Sequence, residues 1–274
     1  MLVVNGQEVS VEHFPDGTQR LNIFVRTKSL MGNHVIWKYE SEEEYMTLWF
    51  IVNHIKDKYP HGFIYLTLPY VPNARYDRIK EFTEVFTLKY FAKFINSLNF
   101  TKVIILDPHS NVTPALLNNV EVQYPTKNVQ CVINAIVNAG YTPILYFPDE
   151  GAMKRYQGMF PDYPFLYGEK KRDWKTGTIE GLELRGDIDF IKKIDNPDFL
   201  MIDDICSHGG TFYYSAKKLK EEFPNCYINS WATHTENNFP TLQKAFDEGL
   251  ILNHFTTDSL YKQDHNNIKT FAVC

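Results

Sequence analysis

The adjacent acids Asp203 and Asp204 open the run Asp203-Asp204-Ile205-Cys206-Ser207-His208-Gly209-Gly210-Thr211. The apolar stretch Phe199-Leu200-Met201-Ile202 leads into it, and Phe212, Ala216, Leu219 and Phe223 follow at helical spacing. Paired carboxylates at the end of a strand can accept hydrogen bonds from vicinal sugar hydroxyls. Glycines ahead of a helix would expose backbone N–H groups where the helix dipole favours a phosphate. A tight turn capped by Ser207 or Thr211 would account for the glycines, but not for adjacent acids at a buried strand, which are costly unless something binds them. No Gly-x-x-x-x-Gly-Lys-Ser/Thr run occurs, so the chain has no P-loop.

The elements that must position these residues alternate between short apolar strands and amphipathic helices, the pattern of parallel α/β architecture. Strands are predicted at 63–68, 103–106, 144–147, 199–202, 226–231 and 251–255. Leu88, Phe91, Ile95 and Leu98 share one helical face, and Val129, Val132, Ile133, Ile136 and Val137 share another that should stop at Gly140. Ligands of open parallel sheets bind beyond the carboxyl ends of the strands. Here the segments that follow the strands are polar, among them Arg75-Tyr76-Asp77-Arg78, Asp107-Pro108-His109-Ser110 and Pro148-Asp149-Glu150-Gly151.

At 274 residues, with 44% hydrophobic and 15% aromatic content, the chain can bury one large core or two moderate ones. A net charge of -5 and a pI near 6.0 speak against a broad nucleic-acid-binding face, so a phosphate site must be local. Cys131, Cys206, Cys226 and Cys274 include no Cys-x-x-Cys pair, which fits a reducing cytoplasm better than a zinc or disulfide framework. No apolar run approaches the roughly 20 residues of a membrane helix, and no signal peptide is evident, so an uncleaved cytoplasmic protein with no membrane partner is expected.

The 203–211 run resembles the ribose-phosphate loop of type I phosphoribosyltransferases and of their pyrophosphokinase relatives. Three further segments resemble the ribose-phosphate pyrophosphokinase (PRPP synthetase) family in family order. Ala74-Arg75-Tyr76-Asp77-Arg78 is similar to Ala-Arg-Gln-Asp-Arg, Leu106-Asp107-Pro108-His109 to Asp-Leu-His, and Pro148 to Arg155 to Pro-Asp-Ala-Gly-Gly-Ala-Lys-Arg. Thr233-His234 and Thr256-Thr257 match later positions, so the resemblance spans nearly the whole chain.

The resemblance implies an α/β fold of two tandem type I phosphoribosyltransferase-like domains, each a mainly parallel sheet flanked by helices. They would cover 1–127, the ATP side, and 128–274, the ribose-phosphate side, with the substrates meeting at their interface and a last strand that could return to the first domain. It implies transfer of the β,γ-pyrophosphate of ATP to the anomeric hydroxyl of ribose 5-phosphate, with Mg²⁺ as cofactor and a homo-oligomeric assembly. His109 and Asp149 would hold the ATP-bound Mg²⁺. Taken alone, a histidine after a strand is more often a structural residue, and only the resemblance makes it a ligand. Arg75, Tyr76, Asp77, His109, Phe14 and Asp16 would contact ATP. Asp203 and Asp204 would hold the ribose hydroxyls, and Ser207, His208, Gly209, Gly210 and Thr211 the 5-phosphate. Glu169-Lys170-Lys171-Arg172 resembles the start of the family's mobile flap, which makes Lys170 and Arg172 the catalytic cations.

The pattern departs from the family in three places. His13-Phe14-Pro15-Asp16-Gly17-Thr18 resembles Phe-Ser-Asp-Gly-Glu but lies close to residue 1, with Thr18 where a Glu is expected near adenine. This leaves Phe14 and Asp16 as the weaker ATP contacts and implies a shortened N-terminus. Tyr76 replaces Gln, and Ser207-His208 replaces Asp-Thr at the 5-phosphate. Loss of an acid there lowers repulsion toward anions and could admit a 5-diphosphate. The divergent relatives this suggests, notably those of phage, act on ADP-ribose in NAD salvage. A non-catalytic regulatory homologue is opposed by His109, Asp149, Lys170 and Arg172, and a phosphoribosyltransferase that consumes PRPP by the ATP-side segments.

Overall fold

The computed structural model describes residues 1–26, 31–172 and 179–273, and for 170–172 and 179–182 it describes the backbone only. The chain forms two compact units, Met1–Tyr124 and Pro125–Cys274.

The first unit begins with strands β1 (Leu2–Val4) and β2 (Gln7–Glu8), joined by Asn5-Gly6 with φ of 53° and 84°. Both positive angles suit the tight turn that Asn-Gly favours between antiparallel strands. A separate hairpin, β3 (Val11–His13) and β4 (Gln19–Leu21), follows. Next come β5 (Asn33–Trp37), helix α1 (Glu44–Lys58), β6 (Ile64–Leu68), α2 (Thr87–Ser97), β7 (Lys102–Leu106), α3 (Val112–Leu116) and β8 (Val120–Gln123). The six-stranded sheet has the order β2-β1-β5-β6-β7-β8, parallel from β5 to β8 and antiparallel at β1. The predicted apolar face of α2 is buried at Leu88, Phe91 and Ile95, and α1 buries Leu48, Ile51, Val52 and Ile55. The hydrophobic effect drives both helices onto Val35, Leu66 and Val103.

The second unit runs α4 (Thr126–Asn138), β9 (Pro143–Phe147), α5 (Glu150–Tyr156), β10 (Phe165–Arg172), β11 (Ile179–Gly186) and α6 (Ile188–Ile191). It continues with β12 (Asp198–Cys206), α7 (Gly210–Glu222), β13 (Tyr227–Thr235), α8 (Pro240–Asp247), β14 (Asn253–Thr257) and β15 (Ile268–Phe271). Its seven-stranded sheet has the order β11-β10-β9-β12-β13-β14-β15, antiparallel only between β10 and β11. Every residue of β9 is buried, and β13 is buried from Ile228 onward, as expected of strands covered on both faces. Helix α4 ends at the expected glycine. Gly140 has a φ of 87°, its N–H donates to the carbonyl of Val137, and the Tyr141 N–H donates to that of Ile136.

The units divide at Tyr124 and Pro125, three residues ahead of the expected boundary after 127, because the buried face of α4 packs with Leu145, Phe147, Leu200 and Ile202 of the second core. Two expectations are corrected. The last strand does not return to the first unit, since β15 pairs along β14 from His254↔Ile268 to Thr257↔Phe271. The strand before the glycines also does not stop at Ile202. Pairing with β13 continues through Asp203↔Ala232 to Cys206↔Thr235, so both acids lie within β12 and the loop shrinks to Ser207-His208-Gly209. Adjacent β13 satisfies the backbone groups that a loop would leave to water.

Candidate active site

In the second unit, β9 and β12 are parallel neighbours in register at Met201↔Tyr146, which brings the segment after β9 beside the acidic end of β12. Asp149 caps the N-terminus of α5, its Oδ1 accepting the Ala152 N–H at 3.0 Å. One turn later Arg155 pairs with Asp204, Nη1 to Oδ1 at 3.1 Å, with Asp204 only 6% exposed. Asp203 is half-buried and accepts the Asp204 N–H at 2.9 Å. Desolvation, the charge of Asp204, the hydrogen bond with its carboxyl and the charge of Asp149 all push the Asp203 carboxyl well above the usual carboxylate range. Arg155 thus pairs with one acid, and the other holds its proton more readily than an ordinary carboxyl.

The loop after β12 is held at its backbone. The His208 carbonyl accepts the N–H groups of Thr241 at 2.9 Å and Leu242 at 3.0 Å, at the head of α8. Gly209 has a φ of 88°, and a Cβ there would lie 2.4 Å from Leu242 Cβ and 2.5 Å from its nitrogen, so a side chain has neither the conformation nor the space. By contrast, a Cβ on Gly210, the first residue of α7, would meet nothing within 4 Å. The exposed Thr211 follows. A pinned loop opening onto space at the N-terminus of a 13-residue helix is suited to an anion.

Farther along the rim, Thr257 Oγ1 donates to the Thr233 carbonyl at 2.6 Å and His234 Nδ1 lies 2.8 Å from Ser259 Oγ. His254 is fully buried between Ser230 and Thr235, both ring nitrogens 2.8 Å from a hydroxyl, and desolvation lowers its pKa to about 3. Neutral His254 thus fastens β13 to β14.

In the first unit, the segments after β6 and β7 come together. Asp77 is 7% exposed, and its Oδ1 accepts the Nε–H of the exposed Arg78 at 3.1 Å. Burial raises the Asp77 carboxyl, but a hydrogen bond from Ser110 and the positive fields of Arg78 and His109 outweigh it and hold the group below its ordinary value. His109 is half-buried beside Asp77, just after buried Asp107, whose φ of 42° is rare for a residue other than glycine. Arg75 is exposed, and Tyr76 gives its hydroxyl to Glu84.

The other predicted residues are placed differently. Phe14 and Asp16 sit on the β3–β4 turn, where Asp16 Oδ1 accepts the Thr18 N–H at 2.9 Å and its hydroxyl at 2.7 Å. Phe14 is 50% exposed. The base of this hairpin contacts the α1 region through His13 with Glu43 and Gln19 with Thr47. Lys170 and Arg172, predicted in a loop, have their backbone in β10 opposite Leu182 and Ile179. Their side chains lie outside the described residues. Arg155, Ser110 and Glu236, the last with its carboxylate 2.6 Å from Ser207 Oγ, were given no role by the sequence pattern. Arg155 closes the polar segment after β9, but nothing local to it identifies Asp204 as its partner.

The chain matches no protein-family model. It is 28% identical to the ribose-phosphate pyrophosphokinase of Sulfolobus acidocaldarius over 220 residues, 76% of this chain and 71% of that one. It is 25% identical to the ribose-phosphate pyrophosphokinase of Mycoplasma genitalium over 273 residues, 96% of this chain and 78% of that one. The fold superimposes on the crystal structure of phosphoribosylpyrophosphate synthetase from Mycobacterium smegmatis with a TM-score of 0.76 and 16% identity, covering 97% of this chain and 86% of that one. The chain is a divergent relative of the ribose-phosphate pyrophosphokinases. Among the described residues no helix is long and apolar enough to cross a membrane.

Mg²⁺ takes few protein ligands and completes its shell with water and phosphate oxygens. Among the described residues no three His, Cys, Asp or Glu side chains form a ready cation cage. Asp149, one of the two residues expected to hold the ion, offers a carboxylate oxygen of the hard type that Mg²⁺ takes.

Replacing Asp203 with Asn keeps an oxygen for the Asp204 N–H and removes the repelling charge. A carboxyl whose pKa is raised on folding stabilises the native state most below its unfolded pKa, and that contribution is lost as pH rises through the folded pKa. Asp203→Asn should therefore stabilise the protein at pH 7.5, with the gain vanishing below about pH 4. Thermal denaturation across pH measures this, and a variant less stable than the parent at pH 7.5 would refute the raised carboxyl.

Proposed function

We propose that the protein is an ATP-dependent pyrophosphokinase that moves the β,γ-pyrophosphate of ATP to O1 of ribose 5-phosphate, giving PRPP and AMP. The observation that carries this reading is the acidic end of β12, charge-compensated by Arg155, running straight into a pinned glycine loop at the head of α7. The names of the relatives support it. Asp203 and Asp204 orient the ribose hydroxyls, and the amides of Gly209, Gly210 and Thr211 receive the 5-phosphate, with Ser207 and His208 lining the loop around it. On the nucleotide side, Arg75, Tyr76, Asp77 and His109 form the principal ATP set, with Phe14 and Asp16 as further contacts.

In the reaction the sugar O1 forms a bond to Pβ, the bond from Pβ to the bridging oxygen breaks, AMP leaves with that oxygen, and the O1 proton passes to solvent. No protein nucleophile is needed. Catalysis rests on alignment and on cations, assigned to Lys170 and Arg172, that meet the charge of the transferring group. His109 and Asp149 are the residues proposed to hold Mg²⁺, which would supply neutralisation of phosphate charge. The working form is proposed to be a homo-oligomer, which light scattering measures.

ADP-ribose is the second reading for the acceptor, favoured by the absence of an acid at Ser207-His208. Initial rates of AMP release from ATP and Mg²⁺ with each acceptor, and product masses, decide between them. Higher kcat/KM with ribose 5-phosphate is the expected result. Higher kcat/KM with ADP-ribose would assign the acceptor to the NAD-salvage chemistry. No AMP release with either, from folded protein that binds ATP, would make the chain a regulatory homologue.

A further inference from the structure

A carboxylate sits directly on the loop assigned to the acceptor's phosphate. Ser207 Oγ donates to Glu236 Oε2 at 2.6 Å, and the Glu236 backbone N–H donates to the carbonyl of Cys206, the last residue of β12, at 2.8 Å. Main chain and side chain thus both tie Glu236 to the loop. Its field reaches inward as well, since the buried Cys206 thiol is pushed up first by desolvation, then by the charges of Asp203 and Glu236. A hydroxyl has one proton. With that proton committed to Glu236, Ser207 turns lone pairs toward any anion in the loop, which leaves phosphate binding to backbone N–H groups and the Thr211 hydroxyl. His208 Nδ1 lies 3.2 Å from the Asn238 carbonyl.

We infer that Glu236 is a specificity-determining residue that penalises the second negative charge of a terminal phosphate. This rests on the reading that the loop holds the 5-phosphate of the acceptor. The repulsion from a fixed carboxylate grows with ligand charge. Above a second pKa of about 6 a phosphate monoester carries close to two charges, whereas a phosphate esterified at one further oxygen carries one. Glu236 therefore narrows the margin by which the loop favours a dianionic monoester over a phosphate that continues into another group.

The test is calorimetric binding at pH 8 of ribose 5-phosphate and of its 5-(methyl phosphate) ester to the parent protein, Glu236→Gln and Glu236→Asp. In Glu236→Gln the Kd for ribose 5-phosphate should fall about tenfold more than that for the methyl ester. Glu236→Asp keeps the charge and should keep the parental ratio of the two constants. An equal change for both ligands in Glu236→Gln, or a Glu236→Asp ratio like that of Glu236→Gln, would overturn the role of charge at Glu236 while leaving the ribose-phosphate site standing. Failure of the parent protein to bind either ligand would overturn the site assignment itself, and the inference with it.

Discussion

Arg155→Met should lower the thermal unfolding midpoint at pH 7.5 by roughly 6–12 °C, because it leaves a buried carboxylate without its cation. Asp204 is 6% exposed and Arg155 19%, at 3.1 Å. Removing one partner of such a pair costs about 3 kcal/mol or more, and a unit of this size moves by about 2–4 °C per kcal/mol. Methionine keeps most of the side-chain volume, so the loss reports charge rather than a cavity. The neighbouring Asp203 compounds it, since its carboxyl is already raised by desolvation and by Asp204. The sign with pH follows. Carboxyls raised on folding regain their protons as pH falls, so the deficit of Arg155→Met should be largest near neutrality and close through the range below it. The double variant Arg155→Met/Asp204→Asn should recover most of the stability. Circular dichroism melts at pH 7.5 and 5 measure all three, and an unchanged midpoint for Arg155→Met at pH 7.5 would show that the pair contributes nothing.

The largest catalytic effect is expected from Lys170→Ala and Arg172→Ala, each lowering kcat by about 10²–10³, the loss typical of a single group that stabilises charge in the transition state. Because that charge develops as the phosphoryl group moves, the Kd for ribose 5-phosphate should change by no more than about threefold. The hairpin β10–β11 carries the main chain of both residues, with the register shifting between Lys171 and Arg172. The shift suits a segment that bends away from its partner strand. AMP release under saturating substrates, set beside calorimetric binding of ribose 5-phosphate, separates the two quantities. A loss seen only in KM would assign these cations to substrate binding instead.

Much of the architecture was legible along the chain because local patterns carry it. The helical periodicity at Val129 to Ile136 and the stop at Gly140 correspond to α4 and its left-handed cap. The apolar runs at 103–106, 144–147 and 199–202 all lie within strands. The acids and glycines of 203–211 are neighbours in sequence, so their proximity in space needed no tertiary information. The family resemblance likewise rests on contiguous segments.

What the order of residues could not disclose is which charges meet. The pairing of β9 with β12 places Arg155 against Asp204, and the return of the chain from β13 places Glu236 against Ser207. Each contact joins residues far apart in sequence, and no local propensity encodes it. The same holds for the length of β12, where the ladder with β13 carries extended backbone through both aspartates to Cys206. Apolar run length marks where a strand is buried, whereas a hydrogen-bonded neighbour decides where it ends. Residue types therefore announced an acidic strand end and a glycine loop, and the stacking of strands from separate parts of the chain set which acid meets a cation, which is pushed toward its protonated form, and which carboxylate faces the loop.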